Sequence, residues 1–216
     1  MNLARNNMKP YKLEIKTIIF LVAVLSIFIF SAVQIILHTE QSKEIGELLL
    51  HYGFLIAPIT ALWVLVDKSL WHSGVMQKVK HSLHTPPDIR GRWEGVLIPS
   101  NQSGSQQFVI EVRQSMTHVT VHSFSSVGHS KSILADITTD EHGEHFTLCY
   151  LWQGEVPTLV DGVQMHKKFN GYTMLTLDES SDPKELKGTY FTDFVPEQTR
   201  GTIELKWATL EFKKSL

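Results

Sequence analysis

The chain has 216 residues, with 20 Lys/Arg against 22 Asp/Glu and a formal net charge of −2. The balance is uneven: residues 1–87 carry 8 basic and 5 acidic side chains, whereas residues 88–216 carry 12 and 17. The acidic second part excludes a non-specific binder of long nucleic acid, which needs a basic stripe. The single cysteine, Cys149, excludes a disulfide framework within one chain and fits a reducing compartment.

Residues 1–16 form a basic N-terminal segment with Arg5, Lys9, Lys12 and Lys16. Thr17 to Leu37 then runs 21 residues without a charge, long enough to cross the ~30 Å hydrocarbon core as a helix. Leu48 to Val66 is a second apolar run, broken only by His51 and Pro58. The ten-residue link "HTEQSKEIGE" makes residues 17–66 a transmembrane hairpin. Lys and Arg flank its two ends, while the link holds Lys43 among Glu40, Glu44 and Glu47. Both ends are therefore expected in the cytoplasm. A cleaved signal peptide fits less well, because the first run is long and a second span follows. Residues 67–87 read as a linker helix ended by "TPPD".

From Gly91 the apolar period changes to two. Strands are predicted at Gly91–Ile98, Gln106–Gln114, Thr117–Phe124, Lys131–Thr138, Glu144–Gln153, Asn170–Asp178, Glu185–Asp193 and Gly201–Phe212. Eight consecutive strands with short links predict an all-β, up-and-down barrel over residues 88–216; a sandwich is the alternative. In a meander the connections alternate between two ends. The longer ones, "IPSNQSGS", "SSVGHS", "GEVPTLVDGVQMHKK" and "VPEQTR", gather at the end opposite the linker and make a mouth.

Alternation names the lining. Phe146, Leu148, Tyr150 and Trp152 share one strand face, as do Leu186, Gly188, Tyr190 and Thr192. Lys131, Lys167, Lys168 and Arg200 map to the mouth loops or beside them. Positive charge over an aromatic-lined cup suits an anion with flat rings: Lys and Arg for phosphate, Tyr and Trp faces for a base. Arg200 stands just before Gly201, and strict alternation turns it outward unless that glycine forms a bulge. The "HGEH" run, His142 to His145, sits in a turn rather than on a helix, and His118 and His122 share an outward face, so no metal site is expected. There is no P-loop, no G-x-S-x-G and no zinc ribbon, and neither an enzyme nor a cofactor is expected.

Gly91-x-Trp93 opening the first strand resembles lipocalins. The whole layout, with "DIRGRWEGVL" directly behind a membrane hairpin, more closely resembles the bacterial CBASS antiphage effectors known as SMODS-associated two-transmembrane β-strand-rich proteins. That resemblance implies a multi-pass protein of the bacterial inner membrane, with the N-terminus and the barrel in the cytoplasm. It implies that a cyclic dinucleotide enters the mouth, that the chains then assemble as homo-oligomers among the lipids, and that their spans disrupt the membrane. On that reading Tyr150, Trp152 and Tyr190 are candidates for base stacking. Lys131, Lys167, Lys168 and Arg200 are candidates for the phosphates, and Thr192 is a candidate hydrogen-bond donor at the rim. The other readings are a membrane-anchored, lipocalin-like carrier of an apolar molecule and a ligand-free barrel that docks a protein.

Overall fold

The computed structural model describes residues 9–10, 24, 26–27, 57, 60–69, 72–73, 86–100, 104–126, 128–140, 145–160, 163–193 and 198–216. The chain divides into two units. One takes residues 1–11, 86–114 and 118–216; the other takes residues 12–85 with 115–117.

The first unit is an antiparallel barrel. Its strands are β1 (Lys9–Pro10), β2 (Gly91–Pro99), β3 (Gln106–Gln114), β4 (Val119–Ser125), β5 (His129–Thr139), β6 (Phe146–Val160), β7 (Val163–Asp178), β8 (Glu185–Thr192) and β9 (Arg200–Thr209). The sheet order is β1-β5-β4-β3-β2-β9-β8-β7-β6, and β5 also pairs with β6. Strands β2 to β9 therefore close into the expected eight-stranded up-and-down barrel. β1, which alternation did not signal, adds two pairs on Thr138 and Thr139 of β5. Room for it exists because β4 and β5 pair only from His122–Lys131 to Phe124–His129. A bulge between Ser132 and Leu134 turns β5 away, and Ser132 Oγ instead accepts a hydrogen bond from Val121 N (2.9 Å).

The main departure from the sequence reading lies between Gly154 and Lys168. Pro157 reads as a breaker, yet β6 and β7 pair without interruption out to Val160–Val163. The reason is local. β5 pairs with β6 no farther than Glu155, and β8 pairs with β7 only from Gly171. The outer part of the hairpin is a two-stranded ribbon, and in it a proline does not interrupt a ladder on its second side. Only Asp161-Gly162 separates the paired Val160 and Val163, and that dipeptide is a strong sequence signal for a two-residue hairpin connection.

The core occupies the end where β2 begins and β9 ends. Trp93, Ile110, Val112, Leu148, Leu175, Leu186, Ile203 and Leu205 are buried there. The segment entering β2 is stitched across this end. Gln114 Oε1 accepts from Ile89 N and Gln114 Nε2 donates to Pro87 O, each at 3.0 Å. Trp93 Nε1 donates to Ile89 O (2.9 Å) and Trp207 Nε1 to Arg90 O (3.0 Å). Backbone groups that precede the ladder are thus satisfied by side chains. At Gly188 a Cβ would stand 1.8 Å from Met174 O, so close strand contact requires glycine there.

On the outer wall, the C-terminal tail lies over β2 and β3. Glu111 Oε1 accepts from Lys213 N (2.7 Å), Lys214 N (2.9 Å) and Arg92 Nη1 (3.2 Å). Arg92 Nη1 also donates to Ser215 O (2.6 Å). Arg113 stands 5.1 Å from the Phe212 ring centroid. A buried ion pair alone is weak support, but this one satisfies three backbone groups as well.

In the second unit residues 60–68 are helical, and Asp67 accepts from Thr117 N (3.0 Å) and Thr117 Oγ1 (2.9 Å). Among the described residues no helix is long and apolar enough to cross a membrane. Most of both expected spans, 17–37 and 48–66, and most of the linker lie outside the described residues.

Trp93→Ala removes both a fully buried side chain and the bond to Ile89 O. It is expected to destabilise the barrel by roughly 3–5 kcal/mol, read by urea unfolding of the purified chain.

Candidate functional site

The mouth half of the barrel is lined differently from the core half. Its inward positions carry aromatic rings and hydroxyls: Phe108, Ser123, Tyr150, Trp152, Phe169, Thr173, Tyr190 and Thr192. Register brings them together. Trp152 faces Ser132 on one side and Gly171 on the other; Tyr150 faces Thr173, which in turn faces Tyr190. Among the residues whose side chains are described, no inward-facing strand position is charged; register puts Lys167 on the same face as Phe169, Gly171 and Thr173, and Lys9 on that of Thr139.

Trp152 is fixed from three directions. Its Nε1 donates to Thr173 Oγ1 (2.9 Å). Its ring meets Phe169 edge to face, with centroids 5.5 Å apart and an interplanar angle of 84°. A Cβ on residue 171 would stand 2.2 Å from Trp152 Cζ2, so the indole lies against bare backbone at Gly171. Held against that wall, the indole is half-buried.

Tyr150 lies deeper, with 2% of its surface exposed. Its hydroxyl is buried and has no hydrogen-bond partner among the described residues. Burial pushes the phenol up to about 12, and the neighbouring Ser123 and Thr173 hydroxyls offset part of that rise. Tyr190 is raised by burial too, and Thr199 offsets part of that. Thr192 faces inward as expected, but its Oγ1 is engaged with Thr199, by a hydroxyl contact of 2.8 Å and by accepting from Thr199 N (3.1 Å).

The candidate cations fall elsewhere. Lys131 pairs with His122 and with Gln153 on the outer wall and is exposed. There it contributes to lowering the His122 pKa, after burial and together with Arg113. Lys168 also faces outward, its Nζ 3.3 Å from Glu155 Oε1. Arg200 is exposed opposite Phe191, because no bulge interrupts the ladder at Gly201. Lys167 sits in β7 opposite Val156, and its side chain is outside the described residues. The structure thus gathers Tyr150, Trp152, Tyr190 and Thr192 and distributes Lys131, Lys168 and Arg200 over the outside.

Sequence reasoning passed over Ser123, Phe169, Gly171 and Thr173. Ser123 shares the inward face of Val119 and Val121, a parity applied there only to the histidines. Phe169 fell in the stretch read as a loop. His118 is exposed, His142 lies outside the described residues, and no metal-holding group of His, Cys, Asp or Glu occurs among the described residues.

The outer wall holds one more feature. Leu134, Leu151, Tyr172 and Phe191 are successive cross-strand partners over β5 to β8. Leu134 is 68% exposed and Phe191 55%, and Ile133 of the bulge is exposed beside them.

The family model described as the Cap15 cyclic dinucleotide receptor domain matches residues 84–207, more than half of the chain. No curated protein matches the chain.

Burial of Tyr150 sets a pH dependence. Between about pH 10 and about pH 12 the unfolded chain releases the phenol proton while the folded barrel keeps it, so stability falls as pH rises through that window. Tyr150→Phe removes this component. Urea unfolding should show its advantage over the natural chain growing by about 2 kcal/mol from neutral pH to pH 12.

Proposed function

Because the chain belongs to the Cap15 cyclic dinucleotide receptor family, we propose that it is an effector of CBASS antiphage defence whose barrel takes a cyclic dinucleotide through its mouth. The observation that carries the reading is the Trp152 indole, pinned by Thr173, Phe169 and the bare backbone of Gly171. A platform of this kind costs little to order when a base stacks on it, and base–aromatic stacking contributes about 1–3 kcal/mol per base. Tyr190 and Thr192 extend the surface toward the rim. No catalytic step is assigned; the barrel senses.

A membrane-anchored carrier of an apolar molecule fits less well. Such a ligand would leave the Tyr150, Ser123 and Thr173 hydroxyls against hydrocarbon, where an unpartnered polar group is costly.

The output we assign to the membrane. The apolar runs 17–37 and 48–66, each long enough to span a bilayer, support a site in the bacterial inner membrane, and the Lys/Arg flanks support a cytoplasmic N-terminus and barrel. Ligand binding then promotes self-assembly, and the assembled spans disrupt the bilayer. The exposed row Leu134–Leu151–Tyr172–Phe191 supports association with a second copy, since contiguous exposed apolar surface marks interaction sites.

Two outcomes test this. Trp152→Ala should weaken the preferred cyclic dinucleotide roughly 5- to 150-fold in calorimetric titration, leaving β-type circular dichroism intact. Equal affinity would remove the site. Phe191→Glu should leave that affinity unchanged and abolish ligand-induced oligomers, seen by cross-linking in membranes; undiminished oligomers would move the interface elsewhere.

A further inference from the structure

Within the closed wall, the inward positions whose side chains are described are uncharged; Lys131, Lys168 and Arg200 stand outside it, and Lys167 takes the inward face only on the β6–β7 ribbon beyond the pairing of β5 and β8. A phosphate drawn below the level of that ribbon would lose its hydration without gaining a cation, which is heavily unfavourable. A base is neutral, flat and rich in donors and acceptors along its edge. It loses far less on entering and gains the exposed face of Trp152.

Below that face lie three hydroxyls: Ser123 is 4% exposed, Thr173 1% and Tyr150 2%. Thr173 Oγ1 already accepts from the Trp152 indole. Tyr150 Oη is buried with the Ser123 and Thr173 hydroxyls beside it, yet makes no hydrogen bond of good geometry with either. Leaving such a group unpaired is unfavourable by an amount comparable to a lost hydrogen bond, so its retention points to a partner that arrives from outside the chain. The other aromatic residues of the mouth half do not repeat this arrangement: Tyr190 has Thr199 beside its hydroxyl, and Phe108 and Phe169 have no polar atom.

We infer that one base of the dinucleotide enters the barrel ahead of the phosphates, stacks on Trp152 and is identified along its edge by the Ser123–Tyr150–Thr173 hydroxyl cluster, with Tyr150 Oη as the specificity-determining group. A site that hydrogen-bonds a ligand edge rejects an analogue lacking the matching group, because its own buried polar atom is then left unpaired. The phosphodiester ring stays at the rim. The inference rests on the proposed sensing of a cyclic dinucleotide and names the part of the ligand that the site reads.

The test uses the full chain in detergent with cyclic di-AMP, cyclic di-GMP and cyclic UMP–AMP as probes, by calorimetry and thermal shift. Tyr150→Phe should leave the ligand-free melting temperature unchanged or raised, because an unpaired buried hydroxyl is gone. It should weaken the preferred probe roughly tenfold and narrow its margin over a probe differing in one base. Ser123→Ala should act in the same direction. If Tyr150→Phe keeps both affinity and discrimination, the base is read elsewhere and the inference is wrong, while sensing stands. A ligand-free melting temperature lowered by several degrees, with all probes weakened alike, would make the hydroxyl a structural group and also overturn it. If the natural chain binds none of the probes, the sensing proposal fails and the inference fails with it.

Discussion

Pairing of β5 with β6, from His129–Glu155 to Thr139–Phe146, turns an open antiparallel sheet into a closed wall, and the two-residue period of the strands then has a defined inside. Without that seam Tyr150 and Trp152 would line an edge strand in water. With it, one end packs Leu, Ile and Trp93 into a core, and the other buries rings and hydroxyls such as Tyr150, Tyr190, Ser123 and Thr173. The seam tolerates an irregularity beside it: β5 leaves β4 at the Ser132–Leu134 bulge, and a serine side chain takes over a ladder bond there.

The same parity separates chemistry by sign. Within the closed wall, the described side chains on the inner face are neutral, and the ionic ones face out, in pairs such as Lys168–Glu155 and Lys206–Glu185. Even Arg92 and Glu111, though buried, belong to the outer face and lie beneath the C-terminal tail. Charge therefore surrounds the closed wall, and Lys167 turns to the inward face only on the ribbon beyond it. Any anionic ligand meets a field at the rim and hydroxyls farther in.

How far the sequence could be read follows from this. Phe146–Trp152 and Leu186–Thr192 sit in regular strands, so a period of two was enough to turn them inward. Residues 154–168 read as a loop, which gives Lys167 and Lys168 no parity; on the continuous β7 ladder Lys168 falls on the outer face with Asn170 and Tyr172, and Lys167 on the face of Phe169 and Gly171. Ser123 and Thr173 are small, and neither stands out until the register sets Thr173 opposite Tyr150. The stitching of Pro87, Ile89 and Arg90 by Gln114, Trp93 and Trp207 joins residues as many as 117 apart, and no local pattern encodes it.

That stitching has a consequence for how such a receptor diversifies. The side chains that close the barrel's base, Gln114, Trp93 and Trp207, belong to β2, β3 and β9, whereas Tyr150, Trp152, Phe169, Thr173 and Tyr190 belong to β6, β7 and β8. No member of the Trp152, Ser123, Tyr150 and Thr173 group shares a strand with the three side chains that close the barrel. Lineages under pressure to answer a new messenger can exchange the second set by point substitution while the first keeps the chain folded. Recognition can drift over evolutionary time against a scaffold that stands still.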